Sequence, residues 1–156
     1  MKKKIYIIAL LGLIIDQLSK LIVTNFMDIY HSITVVEDFF FLTYIRNKGA
    51  AWGIFSNNTL ILALISLVFL FFLIKYINNE TEIKKINAIS FGFILGGIAG
   101  NLLDRLIRGY VVDFFRFVIL GYNYPVFNIA DVLIVIGVIL FIVDLILGDG
   151  RVVKRK

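Results

Sequence analysis

Thr59 to Ile77 reads TLILALISLVFLFFLIKYI, with Lys75 its only charged residue. At about 1.5 Å per residue, a helix of this length crosses the roughly 30 Å of hydrocarbon in a bilayer. Inside lipid a backbone must satisfy its own hydrogen bonds, so the run is constrained to a helix before any other residue is considered. Three further segments meet the same test, at about 5–27, 86–107 and 127–147. Together they predict a mainly α integral membrane protein, a bundle of four transmembrane helices. A length of 156 residues suits a single membrane-embedded domain over 1–156. Composition agrees, because 60% hydrophobic and 15% aromatic residues exceed what a soluble chain of this size carries.

A net charge of +5 would suit nucleic acid, but the lysines and arginines cluster at the ends of the apolar segments, where they orient helices in a membrane. No nucleic-acid partner is expected. The absence of cysteine excludes disulfides, thiolate metal sites and a cysteine nucleophile. His31, the single histidine, supports neither a Ser-His-Asp triad nor a multi-histidine metal site. With both ends inside, the cytoplasmic segments hold Lys2, Lys3, Lys4, Lys75, Lys84, Lys85, Arg151, Lys154, Arg155 and Lys156, ten of the sixteen basic residues. The positive-inside rule therefore places both termini in the cytoplasm and the connections at about 28–58 and 109–126 outside.

Met1 to Lys4 and the apolar run behind it begin as a secretory leader does. The run continues to about Met27 with no small-residue cleavage site, which predicts a membrane span instead. Asp16 and Lys20 lie inside it, one helical turn apart on one face. The pair reads either as a neutralised packing device or as a contact to a ligand. Ser32 to Val36 and Phe39 to Ile45 are rich in β-branched and aromatic residues, and predict two short strands at the interface. They would cradle an extended peptide. Arg46-Asn47-Lys48-Gly49-Ala50-Ala51-Trp52-Gly53 follows, its small residues allowing close backbone approach and Trp52 suiting the membrane–water boundary. In the third span, Gly92, Gly96 and Gly100 form small-xxx-small pairs with Gly97 between them, suited to close helix packing or to leaving room for a ligand. Asn101, Asp104, Arg105 and Arg108 recur at helical spacing at its end. Strand-like residues then surround Asp113, and Pro125 precedes Val126-Phe127-Asn128-Ile129-Ala130-Asp131 at the start of the last span.

The remaining catalytic options are carboxylates, hydroxyls, Lys and Tyr. Two neighbouring carboxylates in a low-dielectric site cannot both ionise cheaply, so they share a proton. The ionised member can take a proton from attacking water while the protonated one assists the carbonyl oxygen or leaving amine. That chemistry needs no metal or cofactor. Asp113 and Asp131, each flanked by apolar residues near the outer surface, are the natural pair. Asp104 competes, but with Arg105 and Arg108 beside it reads as a salt bridge at a helix end. Asn128 is a helix cap or, one turn before Asp131, a member of the site. Buried aspartates also serve ion and proton pathways. A channel or transporter would use Asp16, Lys20 and Asp131 as a relay, and a scaffold would assemble through the glycine face. The chain shows no inverted repeat for the first, and neither accounts for the settings of Asp113 and Asp131.

Five blocks resemble the lipoprotein signal peptidases, the type II signal peptidases of bacteria. They are Asp16-Gln17-Leu18-Ser19-Lys20, Arg46 to Gly53, Gly100-Asn101-Leu102-Leu103-Asp104-Arg105, Val111-Val112-Asp113-Phe114 and Phe127-Asn128-Ile129-Ala130-Asp131. The resemblance implies an aspartic endopeptidase in the bacterial cytoplasmic membrane, its active site near the extracytoplasmic face, and nothing in the sequence requires more than a monomer. It implies a small β-cradle from the outer strands and a short extracytoplasmic helix or loop, between Arg108 and Asn128, that partly lids the site. It makes Asp113 and Asp131 catalytic and gives Asn47, Asn101, Arg105 and Asn128 supporting roles. Asp16, Lys20 and Asp104 are structural polar residues in this reading. The partners are membrane lipids and diacylglyceryl-modified prolipoproteins, cut on the amino side of the lipidated cysteine.

Overall fold

The computed structural model describes residues 1–49 and 58–147. The Ala50 to Gly53 part of the outer block, with Trp52, and the basic tail from Arg151 to Lys156 lie outside the described residues. Chain order is α1 (Lys2–Phe26), β1 (Ser32–Val36), β2 (Phe40–Asn47), α2 (Thr59–Asn79), α3 (Lys85–Arg108), β3 (Val111–Ile119), β4 (Tyr122–Asn123) and α4 (Ile129–Leu147). Four helices are long and apolar enough to cross a membrane, and the strands form one small antiparallel arrangement in the order β1-β2-β3-β4. The protein is a four-helix membrane protein with a β-sheet at one end.

α3 is the axis of the bundle. In its most apolar stretch 67% of residues are buried within the protein, against 17–22% in the other three helices. Those others turn Leu10, Ile14, Leu64, Phe72, Val135 and Ile139 outward, where apolar side chains meet lipid at no cost. The glycines of α3 explain how it can be central. A methyl on Gly96 would lie 2.6 Å from Ala9 O of α1, and one on Gly97 would collide with Ala130 O of α4. Without side chains, both neighbouring backbones close onto α3 at once. Gly100 is different, because the space a methyl would fill holds the Asp16 carboxylate. Close packing, the first of the two uses read in the sequence, applies at Gly96 and Gly97, and at Gly100 the room goes to a side chain of α1.

Two apolar clusters hold the ends. Ile5, Ile77, Ala88, Phe91 and Leu95 close the end away from the sheet, while Val23, Tyr44, Val112 and Phe114 seat the sheet on the bundle. The segment between Arg108 and Asn128, expected as a lidding helix or loop, instead supplies β3 and β4. Its physical cause is the run VVDFFRFVI, whose β-branched and aromatic side chains pair with β2. The Phe40 and Phe117 rings stack across that pairing at 4.7 Å. The β3–β4 hairpin turns through Leu120 and Gly121, both at positive φ (52 and 78), as a two-residue hairpin turn demands.

Candidate active site

Local backbone geometry brings Asp113 and Asp131 together. α3 ends on Gly109 in the left-handed conformation (φ 75), which turns the chain back over the helix end into β3. In the β2–β3 register Asn47 lies opposite Val111 and Ile45 opposite Asp113, so Asn47 and Asp113 are diagonal neighbours on one face. Asn47 Nδ2 donates to Asp113 Oδ2 at 2.8 Å. Phe127 O then accepts from Phe114 N and Phe115 N at 3.0 and 2.8 Å, which clamps the start of α4 against β3. Asn128 consequently arrives beside Asp113.

Asn128 joins the two carboxyls. Its side-chain carbonyl accepts from Asp131 N at 3.0 Å, and its own N–H donates to Asp131 Oδ2 at 3.1 Å, a reciprocal box that caps α4. Its amide nitrogen, Nδ2, lies 2.7 Å from Asp113 Oδ1 and 3.0 Å from Asn101 Oδ1. The two readings of Asn128, cap and site member, are the two ends of one side chain. Asn101 completes the frame by donating from Nδ2 to Asp131 Oδ1 at 2.7 Å. Asp113 is 2% exposed and Asn128 fully buried, whereas Asp131 is only partly covered. Among the described residues no cation forms a salt bridge with either carboxyl. Arg105 stays close, but its guanidinium donates to Gly49 O and Asn101 O, each at 3.4 Å. Burial, and then the Asp131 charge, push the Asp113 carboxyl up to about 7, against the pull of its Asn47 and Asn128 hydrogen bonds and Lys20. Near neutral pH it can hold or release a proton.

Next to this pair lies a closed cluster. The Lys20 ammonium is 2.9 Å from Asp16 and 3.0 Å from Asp104, and all three side chains are buried. Asp16 also accepts from Ala130 N at 2.9 Å, and Asp104 from Val112 N at 3.1 Å. Asp104 thus tethers β3 to α3. The salt bridge expected of Asp104 at the helix end is present to Arg108 at 3.6 Å, while Lys20 comes closer at 3.0 Å and Arg105 faces elsewhere. The cause is that Lys20 comes from α1, which packs on the Gly96 and Gly100 side of α3. Lys20 also donates to Asn101 Oδ1 at 2.9 Å, so the cluster fixes which way the Asn101 amide faces Asp131.

Sequence reasoning passed over three contributors. Gln17 Nε2 donates to Asp16 and Gly100 O at 3.0 and 3.2 Å, sealing the closed cluster. Asp144 and Asn87 form a second polar contact at the far end of the bundle, where Lys84 reaches Asp144 at 3.1 Å and Asn87 donates to it at 3.0 Å. An aspartate inside the last apolar run was the available signal. No group of three or more His, Asp or Glu side chains is arranged to hold a metal ion among the described residues.

The chain and its fold have counterparts. A family model described as signal peptidase (SPase) II matches residues 8–147. A bacterial membrane enzyme structure determined by the in meso method at 2.3 Å is 34% identical, with 96% of this chain and 92% of that one covered and a TM-score of 0.85. A second, determined the same way at 1.9 Å, is 36% identical over 92% of each chain, with a TM-score of 0.81.

Proposed function

The chain belongs to the signal peptidase II family, and from that premise we propose that it is an aspartic endopeptidase in which Asp113 and Asp131 activate water together. The observation that carries the reading is the Asn128 bridge, with its amide on Asp113 at 2.7 Å and its backbone N–H on Asp131 at 3.1 Å. Two carboxyls held by one residue, with no salt bridge to either among the described residues, share a proton. The ionised member takes a proton from the attacking water, and the protonated member supplies one to the carbonyl oxygen and then the leaving amine. Asn47 and Asn128 orient Asp113, and Asn101 and Asn128 orient Asp131. Arg105, donating to Gly49 O and Asn101 O, ties the residues just after β2 to α3 beside the carboxyls.

The substrate in this reading is a prolipoprotein whose cysteine carries a diacylglyceryl group, cut on the amino side of that cysteine. It reaches the carboxyls sideways through the bilayer, with its extended backbone along the β1–β3 cradle. The protein works as a monomer in a bacterial cytoplasmic membrane, both termini in the cytoplasm and the sheet end outside. The test is a gel-shift cleavage assay with purified protein in detergent, offered a lipidated precursor and its unlipidated form. The lipidated form alone is cut by the wild type, and Asp113→Asn or Asp131→Asn lowers the rate by about 10²–10⁴-fold, the contribution of positioned acid–base groups. Near-normal turnover by either variant sinks the dyad assignment.

A further inference from the structure

Where β2 meets the ends of α1 and α3, an open groove of about 970 Å³ is lined by Tyr30, Arg46, Lys48, Arg108 and Tyr110 among others. Its described lining includes three cations and no carboxylate. Arg46 is packed in place, with Nε donating to Tyr44 Oη at 3.1 Å and the guanidinium 4.8 Å from the Tyr110 ring centre. Arg108 reaches Asp104 only at 3.6 Å, and its Nη1 is buried with no hydrogen-bond partner among the described residues. Lys48 is exposed, and its ammonium has no acceptor among the described residues. Cations at an outer membrane face work against the positive-inside pattern, so three converging on one groove call for an anion.

The surroundings narrow the anion's source. The helix ends that frame the groove are apolar toward the outside: Phe26 is 82% exposed near the end of α1, and Ile107 is 73% exposed beside Arg108. Tyr30 and Tyr110 line the same groove with aromatic rings that carry polar tips, the residue type of a membrane–water boundary. An acidic stretch of polypeptide would satisfy the cations but leave the apolar helix ends without a role. We propose that the groove binds the phosphate of an anionic phospholipid in the outer leaflet, its acyl chains lying along the ends of α1 and α3. The side of the membrane rests on the orientation proposed above; the binding itself does not depend on peptidase activity. Because Asn47 and Gly49 line the same groove, an occupied headgroup would brace the strand that carries Asn47 to Asp113.

The experiment is thermal unfolding and native mass spectrometry of the full chain in neutral detergent. The probes are dioctanoyl phosphatidylglycerol, dioctanoyl phosphatidylcholine and inorganic phosphate, tested on wild type, Lys48→Gln and Lys48→Gln/Arg108→Gln. Phosphatidylglycerol is expected to be retained and to raise the midpoint, an effect that added salt weakens. The double variant should bind it about 30-fold more weakly, the loss expected for two cations near a lipid surface. Lys48→Gln, at an exposed position, should show part of that loss in a protein that unfolds like wild type without lipid. Equal retention of both lipids, or unchanged affinity in Lys48→Gln and the double variant, overturns the proposal. An equal response to inorganic phosphate overturns the lipid as the source. Loss of cleavage confined to precursors with acidic mature residues, with lipid retention unaltered, overturns it in favour of a peptide-binding groove.

Discussion

Asp16 and Asp104 share the Lys20 ammonium at 2.9 and 3.0 Å, whereas among the described residues Asp113 and Asp131, a short distance along the same end of the bundle, are held by amides. Both pairs sit in low dielectric, and both have their oxygens occupied. In the first, a buried cation and two backbone N–H groups hold the carboxyl oxygens. In the second, neutral donors hold the positions of the oxygens and leave the proton free to move. Burial of a carboxyl therefore does not by itself mark reactivity; the nature of its partner does. The two sites are also coupled, since Lys20 holds Asn101 at 2.9 Å and Asn101 holds Asp131 at 2.7 Å.

The comparison breaks most visibly at Lys20. Lys20→Met leaves two carboxylates buried without their cation and should cost about 3–5 kcal/mol, read as a fall in unfolding midpoint in detergent. The variant should also lose turnover at temperatures where it remains folded, because Asn101 loses one of the two donors that fix its amide. Asp104→Asn should cost less, on the order of 1–3 kcal/mol, since the Val112 N–H keeps an oxygen acceptor and Lys20 keeps Asp16. Its turnover should stay near wild type below the unfolding transition.

The proton on Asp113 gives a finer distinction. Its carboxyl is raised from 3.8 to about 7, so the folded state holds a proton that the unfolded chain releases in that window. Stability falls as pH rises from roughly 4 to 7, and Asp113→Asn should flatten that fall. If the protonated Asp113 is the acid, activity declines as pH passes about 7. Removing the Asn47 hydrogen bond, which pulls the value down, should move this limb to higher pH in a rate profile of Asn47→Ala. The smallest effect belongs to the far end of the bundle. Lys84 is 44% exposed where it meets Asp144, so Lys84→Ala should cost under about 1 kcal/mol and leave turnover unchanged.

The four spans were legible because lipid leaves apolar runs of that length only one structure. That Asp113 and Asp131 come near one another was legible through their settings and the motif blocks around them. The link from Lys20 to Asp104 was not, because periodicity reports neighbours on one helix and says nothing of which faces meet across two. It therefore pointed Asp104 at Arg108, one turn away, and missed the closer cation from α1. The strands at 111–123 were half visible: their residue types favoured a strand, but pairing with β2 decided it. Asp144 went unread because a single aspartate in a strongly apolar run gives no hint of the Lys84 and Asn87 that receive it.

The most direct test sets Asp113→Asn beside Asp104→Asn in one preparation, measuring the unfolding midpoint and the cleavage of lipidated precursor at pH 8. The account predicts opposite outcomes. Asp113→Asn keeps or raises the midpoint, because a costly buried charge is gone, and loses cleavage. Asp104→Asn lowers the midpoint and keeps cleavage while folded. Cleavage retained by Asp113→Asn and abolished in folded Asp104→Asn would contradict the division of labour between the two sites.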